Sequence, residues 1–488
     1  MVTRRRSSGG ERRAGMGTIN SALSIMSQAL DADQEALNVV ANNVANANTP
    51  GYTEETPNWQ ENQPISIGGV SYGQGAAETG ATSARDRVLE SRLDQQQQLA
   101  SASGSRLTAL DTLQALFTPD SGSSSSTAGD IGSDITSFFD SFSSLEATPT
   151  SNSLRQGVLT AAKALAGDIS NAAASLNSQR SALDQEATGV TSQVNSLSSA
   201  IAQLNQQIQT TSPDADAGTL EDQRQEDLSQ LSQLIGINQI TTQNNGLEIT
   251  TTSGQLLVSE GMNYQLTTGM VNGVTDFFVG NTDITSQLTS GGGSLGGYLT
   301  ARDQDIPGAL TSLDQLAYSI STTVNAQNNA GTDYDGATGT AANPLNIFSE
   351  PTAVAGSAAS MSVVMTDPNQ IAAAGAGDGT GDNSNAAAMA KLASQSIVNG
   401  QTPTNYYSNF VTTLGSTVSS VQTENTAQNA SVTQLQTQNN ALSGVNLNDE
   451  ASSMTTFERS YEAASQVFTM LNTIMASALN LGDQTTVS

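Results

Sequence analysis

Few side chains in this 488-residue chain are of types and spacings that can do chemistry. Asp333 with Asp335, and Asp378 with Asp382, lie in glycine-rich stretches. Calcium loops also space aspartates among glycines, but the twelve-residue pattern closed by a glutamate is absent, and solvated turns use the same residues. Gly291–Gly297 is glycine-rich but lacks the Gly-Lys-Ser/Thr ending of a phosphate loop, so it reads as a flexible return between elements. Glu458 and Glu462 are one helical turn apart, yet acid–base work needs a cleft that drives two pKa values apart. Beside Arg459 they read as a polar face. The chain has no cysteine and no histidine, which excludes disulfides, thiolate zinc sites, cysteine nucleophiles and imidazole catalysis. No catalytic residue, cofactor or metal is expected, and the chain is not expected to be an enzyme.

The charge balance narrows the partners. Net charge is −29, and the one basic cluster is Arg4, Arg5, Arg6, Arg12 and Arg13. Neither a phosphate backbone nor an anionic membrane suits such a surface. No run of about twenty apolar residues is present to span a bilayer. Charged residues are only 12% and aromatics 4%, with Ser, Thr, Asn, Gln and Ala filling the difference. Such a composition favours long polar helices over compact catalytic cores.

The most informative stretch is Asn42-Asn43-Val44-Ala45-Asn46-Ala47-Asn48-Thr49-Pro50-Gly51-Tyr52. Read simply, it stops a helix. Pro50 pushes Thr49 out of the helical region, and Gly51 supplies a positive φ. Four asparagines in seven residues exceed what a stop needs. Asn42 and Asn46, one turn apart on one face, are also placed to bond neighbouring subunits.

The elements that must position this stretch follow from periodicity. Ile19, Leu23, Met26, Leu30, Asp33, Leu37, Val40 and Val44 step by four and three, a coiled-coil seam with one polar interruption. Ile65, Ile67 and Val70 alternate as a short hairpin. Helices are expected over about 85–117, 153–210 and 220–235, with the serine run at 120–130 as a loop. Residues 237–290 change to a strand pattern rich in Thr, Val and Gly, with a turn at Asn244-Asn245-Gly246. Helix resumes near Pro307. From Tyr407 a stripe runs through Val411, Leu414, Val418, Val421, Asn425 and Gln428 to Leu442. Met454, Phe457, Tyr461, Ala464, Phe468, Leu471 and Met475 form the last one. A lone helix cannot bury such a stripe, so the two ends are expected to pair with each other.

The predicted fold is therefore mainly α with inserted β: an elongated multi-domain subunit with its terminal helices paired like a coiled coil. The expected divisions are a disordered extension or misplaced start at 1–15, an N-terminal part of the terminal domain at 16–84 and a long-helix bundle at 85–235. An inserted β domain at 236–295, a bundle helix at 296–328 and a loop-rich insertion at 329–385 follow. A bundle helix at 386–444 and a C-terminal helix at 445–488, paired with 16–48, complete the chain.

"NNVANANTPGYTEE" resembles the N-terminal motif of bacterial flagellar rod, hook and hook-associated proteins, and "VNLNDEASSMTTFERSYEAASQVFTMLNTIMASALNL" is similar to that family's other end. "GGYLTARDQDIPGALTSLDQLAYSISTTVNAQNNAGTDYDG" and "SGQLLVSEGMNYQL" resemble the middle of its hook-associated junction members. The order agrees from Met16 onward; residues 329–385 match poorly. The resemblance implies export through the flagellar type III apparatus without a cleaved signal, to an extracellular position. It implies a homo-oligomeric ring between hook and filament, touching the hook protein and a second junction or filament-side protein. It also implies an export chaperone on the C-terminal helix.

The residues expected at the assembly interface are Ile19, Leu23, Met26, Leu30, Leu37, Val40, Asn42, Asn43, Val44, Asn46, Thr49, Pro50, Gly51 and Tyr52. Met454, Phe457, Tyr461, Phe468, Leu471 and Met475 complete the set. The alternatives are another axial protein (a hook or rod subunit), which the long helices at 153–235 and 404–443 disfavour, or a secreted adhesin using 237–290.

Overall fold

A computed structural model describes residues 9–67, 70–117, 131–211, 216–271 and 273–483. Helix α1 (Gly9–Asn46) opens the chain. It takes in residues 9–15 of the stretch expected to be a disordered extension or misplaced start, where Glu11, Arg12, Arg13 and Ala14 are good helix formers. Residues 1–8 of that extension lie outside the described residues, as does the serine run at 120–130.

After α1 the chain folds back as a hairpin. Strand β1 (Glu55–Glu61) opens it, β2 (Ile65–Ile67) and β3 (Val70–Tyr72) form its tip, and β4 (Ala76–Ser83) closes it. The β1–β4 pairing is antiparallel from Glu55↔Ser83 to Glu61↔Ala76, with a bulge between Pro57 and Trp59. Pro57 has no N–H for the ladder, and a bulge is where a sheet tolerates that. The hairpin lies along α1: Asn62 donates to Gln28 at 2.8 Å and Gln74 to Ser21 at 3.4 Å.

Four helices follow: α2 (Arg87–Phe117), α3 (Ile131–Ala147), α4 (Asn152–Thr211) and α5 (Thr219–Leu234). At 1.5 Å per residue α4 spans about 90 Å, and it serves as the spine of two cores. Its first half, through Leu165, Ile169 and Leu176, packs with α2 and α3. Its second half, through Val190, Val194 and Ile201, packs under the β insertion. The insertion is a four-stranded antiparallel meander, β5 (Ile237–Thr241), β6 (Leu247–Thr251), β7 (Leu256–Ser259) and β8 (Met262–Asn263). A three-stranded sheet adjoins it: β9 (Leu266–Val271), β10 (Val274–Val279) and β11 (Thr282–Asp283). Asn244 and Asn245, both at φ 56°, make the predicted turn between β5 and β6.

Short α6 (Thr285–Thr289) and α7 (Gly293–Thr300) return the chain to the bundle. The glycines here were expected to form a flexible return; instead they permit close packing. A Cβ on Gly297 would sit 2.3 Å from the Ala102 carbonyl oxygen of α2, and one on Gly293 would sit 2.4 Å from the Ile235 nitrogen. A π-helical turn at Ala301–Asp305 leads into α8 (Ile306–Ala330). Arg302 in that turn is buried and donates to Asp184 of α4 at 2.6 Å, to the Thr275 carbonyl at 2.7 Å and to Asp303 at 2.8 Å. It ties the two cores together.

Beyond α8 the loops carrying α9 (Ser357–Ser360) and α10 (Ser384–Lys391) fold onto the first core. Asn325 holds the Phe348 carbonyl at 2.9 Å and its N–H at 3.0 Å, and Asn328 does the same for the Leu345 carbonyl and the Ala372 N–H. The amide side chains replace the ladder that these loops lack, so Ile347 and Phe348 are fully buried. The helix expected across 386–444 is broken. Thr402 caps a new helix, α11 (Pro403–Ser443), because a proline fits the first helical turn and not an interior. Over α11's first half Leu414, Val418 and Val421 are buried. Its second half meets α2 through amides: Asn425 donates to the Ala100 carbonyl and to Ser103, and Gln96 bonds Gln428. The last helix is α12 (Leu447–Asp483). The result is the expected class, mainly α with small antiparallel sheets, with the two terminal helices packed on each other.

Candidate assembly interface

The two ends of the chain meet at Asn43. This side chain is 1% exposed and its hydrogen-bonding capacity is full. Its amide donates to the Glu55 carbonyl at 2.8 Å and to Glu450 Oε1 at 2.9 Å. Its oxygen accepts from Tyr52 Oη at 2.8 Å and from the Glu55 N–H at 3.0 Å. One asparagine thus fastens the end of α1 to the hairpin and to the first turn of α12. Asn42 donates to Tyr52 Oη at 3.3 Å and accepts from Asn46 at 2.8 Å; Thr49 donates to Asn46 at 3.2 Å. The bonds that the sequence left open to neighbouring subunits are made within the chain. Gly51 has the expected positive φ, 77°, and stands with Thr49 and Pro50 at the surface.

Because the end of α1 meets the start of α12, the two helices run antiparallel, packed along their length. Ile19, Leu23, Met26, Leu30 and Leu37 are half-buried on the seam, and Val40 is buried. Across it Phe457, Phe468, Leu471 and Met475 are half-buried, and Trp59 of the hairpin meets the Phe457 ring edge-on at 5.7 Å. Val44, Met454 and Tyr461, expected at the interface, remain exposed at 46%, 44% and 38%. Sequence reasoning missed buried Ala36 and Val39, the Glu450 partner of Asn43, and an apolar flank of α12. That flank is Val467, Met470 and Ile474, exposed at 42%, 63% and 47%. A second moment of apolar spacing beside the seam was the available signal.

Next to Asn43 a polar joint connects the terminal helices to the bundle. Thr53 donates from both N–H and hydroxyl to Asp222 of α5, and Arg85 pairs with the same carboxylate. Ser443, the last residue of α11, donates from its hydroxyl to the Ala84 carbonyl at 3.0 Å and accepts the Glu54 N–H at its own carbonyl at 2.9 Å. Burial raises the carboxyl of Glu90 to about 7 and that of Asp94 to about 6. Burial, then the nearby carboxylates of Glu55, Asp222 and Glu450, hold the Tyr52 phenol well above its usual value.

The other chemical candidates are absorbed by local structure. Asp333 accepts the Asp335 and Ala337 N–H groups, and Asp382 those of Gly375 and Ser384. Among the described residues no group of three acidic side chains is arranged to hold a metal. Glu458 and Glu462 lie exposed on α12.

Residues 121–342 match the model of the flagellar hook-associated protein FlgK helical domain. Residues 23–53 match that of the flagella basal body rod protein, and 437–481 that of the flagellar basal body rod FlgEFG protein C-terminal region. These two matches fall on the paired ends. Flagellar hook-associated protein 1 of Escherichia coli (strain K12) is 26% identical across 95% of this chain and 99% of its own length. The chain's end-to-end similarity is to the hook-associated protein 1 family of flagellar axial proteins. The Bacillus subtilis (strain 168) member is 25% identical over 93% of this chain and 96% of its own. The flagellar hook junction protein FlgK of Burkholderia pseudomallei has the same fold, with TM-score 0.63 over 71% of this chain and 99% of that one, at 18% identity. The resemblance read from the sequence is borne out. Members of this family are structural components of the flagellum.

Proposed function

We propose that this chain forms the ring that joins the flagellar hook to the filament, outside the cell, through its terminal helices. The observation that carries the reading is the apolar flank of α12. One side of α12 is already covered by α1, yet Val467, Met470 and Ile474 stand in solvent on a neighbouring side. An amphipathic helix with a second uncovered apolar stripe gains about 25 cal/mol for each Å² of that stripe that a neighbour covers. A ring of copies supplies such a neighbour. The hook protein and a filament-side protein would meet the two faces of the ring. Before assembly an export chaperone would cover the same helix. The role is mechanical: the side chains bury surface and hold register, and perform no bond-making step.

The test is removal of residues 454–488. The bundle cores contain no α12 residue, so the truncated chain should keep its far-ultraviolet spectrum and cooperative unfolding. It should be absent from purified hook–basal bodies. Incorporation at the level of the intact chain would refute the proposal.

A further inference from the structure

Away from the terminal helices, a cavity of about 460 Å³ opens between the start of α2, α5 and the β5–β6 turn. The chain has 16 lysines and arginines, five of them in its first fifteen residues. Four of the others, Arg85, Arg87, Arg92 and Arg224, line this one cavity. Its lining carboxylates are fewer, Glu90 and Glu221. Arg87 and Arg224 share Glu221, at 2.8 and 4.0 Å. Arg85 is engaged by Asp222 and lies 3.8 Å from Glu90. Burial raises the Glu90 carboxyl, so near neutrality it is only partly charged. Arg92 has no ion-pair partner among the described residues, and the Arg87 side chain is half-exposed. Two guanidiniums therefore face solvent in a concave site with cation to spare, on a chain whose net charge is −29.

We infer that this cavity is a carboxylate receptor, filled by an acidic surface segment of a second copy of this chain. The inference rests on the ring assembly proposed above. Copies carrying this much negative charge repel one another at separations within a Debye length. A ring forms more readily where each copy presents cations to its neighbour's carboxylates, and this cavity holds the densest set among the described residues. The choice of side chain agrees with the ligand class. Guanidinium offers carboxylate a planar, bidentate match that an ammonium does not, and the chain has only two lysines, Lys163 and Lys391.

That scarcity of lysine supplies the experiment. Hook–basal bodies carrying Arg92→Lys are treated with a zero-length carbodiimide, which joins an amine only to a carboxylate in direct contact. Arg92→Gln particles give the background from Lys163 and Lys391. The expected result is a denaturation-resistant dimer specific to Arg92→Lys. Its linked peptides should join position 92 to an Asp or Glu of this same sequence outside the cavity. Absence of that dimer overturns the inference, as does a link confined to a different axial protein or to the chain's own Glu90 or Glu221. The failure is separable from that of the ring. Arg92 is a surface residue, so particles that contain the variants but give no dimer leave the α12 reading standing. Incorporation of the 454–488 truncation removes that reading whatever happens at position 92.

Discussion

Replacing Asn43 by alanine isolates the joint. The substitution removes four hydrogen bonds and leaves the Glu450 carboxylate, the Glu55 peptide and the Tyr52 hydroxyl without their partner. Glu450 is 5% exposed and cannot freely recover water. Each orphaned buried group costs about 1–3 kcal/mol. Tyr52 and Glu55 are half-buried and recover part of that, so a total of about 2–4 kcal/mol follows. Every 1.4 kcal/mol is about tenfold, giving roughly 100-fold in the equilibrium for opening α1 from α12. The two bundle cores share no residue with this site, so the loss should be local. Trp59, the only tryptophan, lies edge-on to Phe457 across this contact and reports it without labelling. In a urea titration its emission transition should move to lower denaturant while the far-ultraviolet transition of the bundle stays in place. Asn43→Asp should be at least as damaging near neutral pH, because it places a second carboxylate against Glu450, and should recover as the pH falls and the pair takes up a proton. An unchanged Trp59 transition in Asn43→Ala would refute the reasoning.

Three further outcomes follow from the packing. The buried Glu90 and Asp94 carboxyls titrate near 7 and 6, above their unfolded values; a raised carboxyl favours the fold below its unfolded pKa and loses that contribution as pH rises through its folded one. The protection of amides at the start of α2, taken relative to their intrinsic exchange rate at each pH, should therefore fall from about pH 4 to about pH 7, and Glu90→Gln with Asp94→Asn should flatten that protection profile. Gly297→Ala drives a methyl against the Ala102 carbonyl and should cost about 1–3 kcal/mol as overpacking, read as a lower urea midpoint of the bundle. Phe138→Ala empties the centre of a ring cluster with Phe139, Phe142 and Phe348 and should cost about 3–5 kcal/mol, read in the same assay.

The terminal seams were legible because steps of three and four repeat over many turns, and the Asn244–Gly246 turn because its residues accept left-handed φ. Helix α3 went unread although Ile131, Ile135, Phe138, Phe142 and Leu145 carry a helical period; it follows a serine run and is short. Strands β1 and β4 carry almost no alternating apolar residues, being held by each other and by α1. The positions Asn425 and Gln428 fall on the predicted stripe of α11, but they meet α2 with amides instead of apolar atoms. The partner of Asn43 lies 407 residues away. Periodicity assigns a residue to a face; it does not say which distant residue will lie opposite.

Methionine oxidation tests the central claim without altering the chain. Met470 is 63% exposed on the uncovered flank of α12, and Met270, on β9 of the inserted sheet, is 70% exposed. In the free chain both should react with peroxide at similar rates. In purified hook–basal bodies Met470 should be protected at least tenfold relative to Met270, because a neighbouring copy covers it. Equal oxidation of Met470 in free and assembled chains would contradict the account.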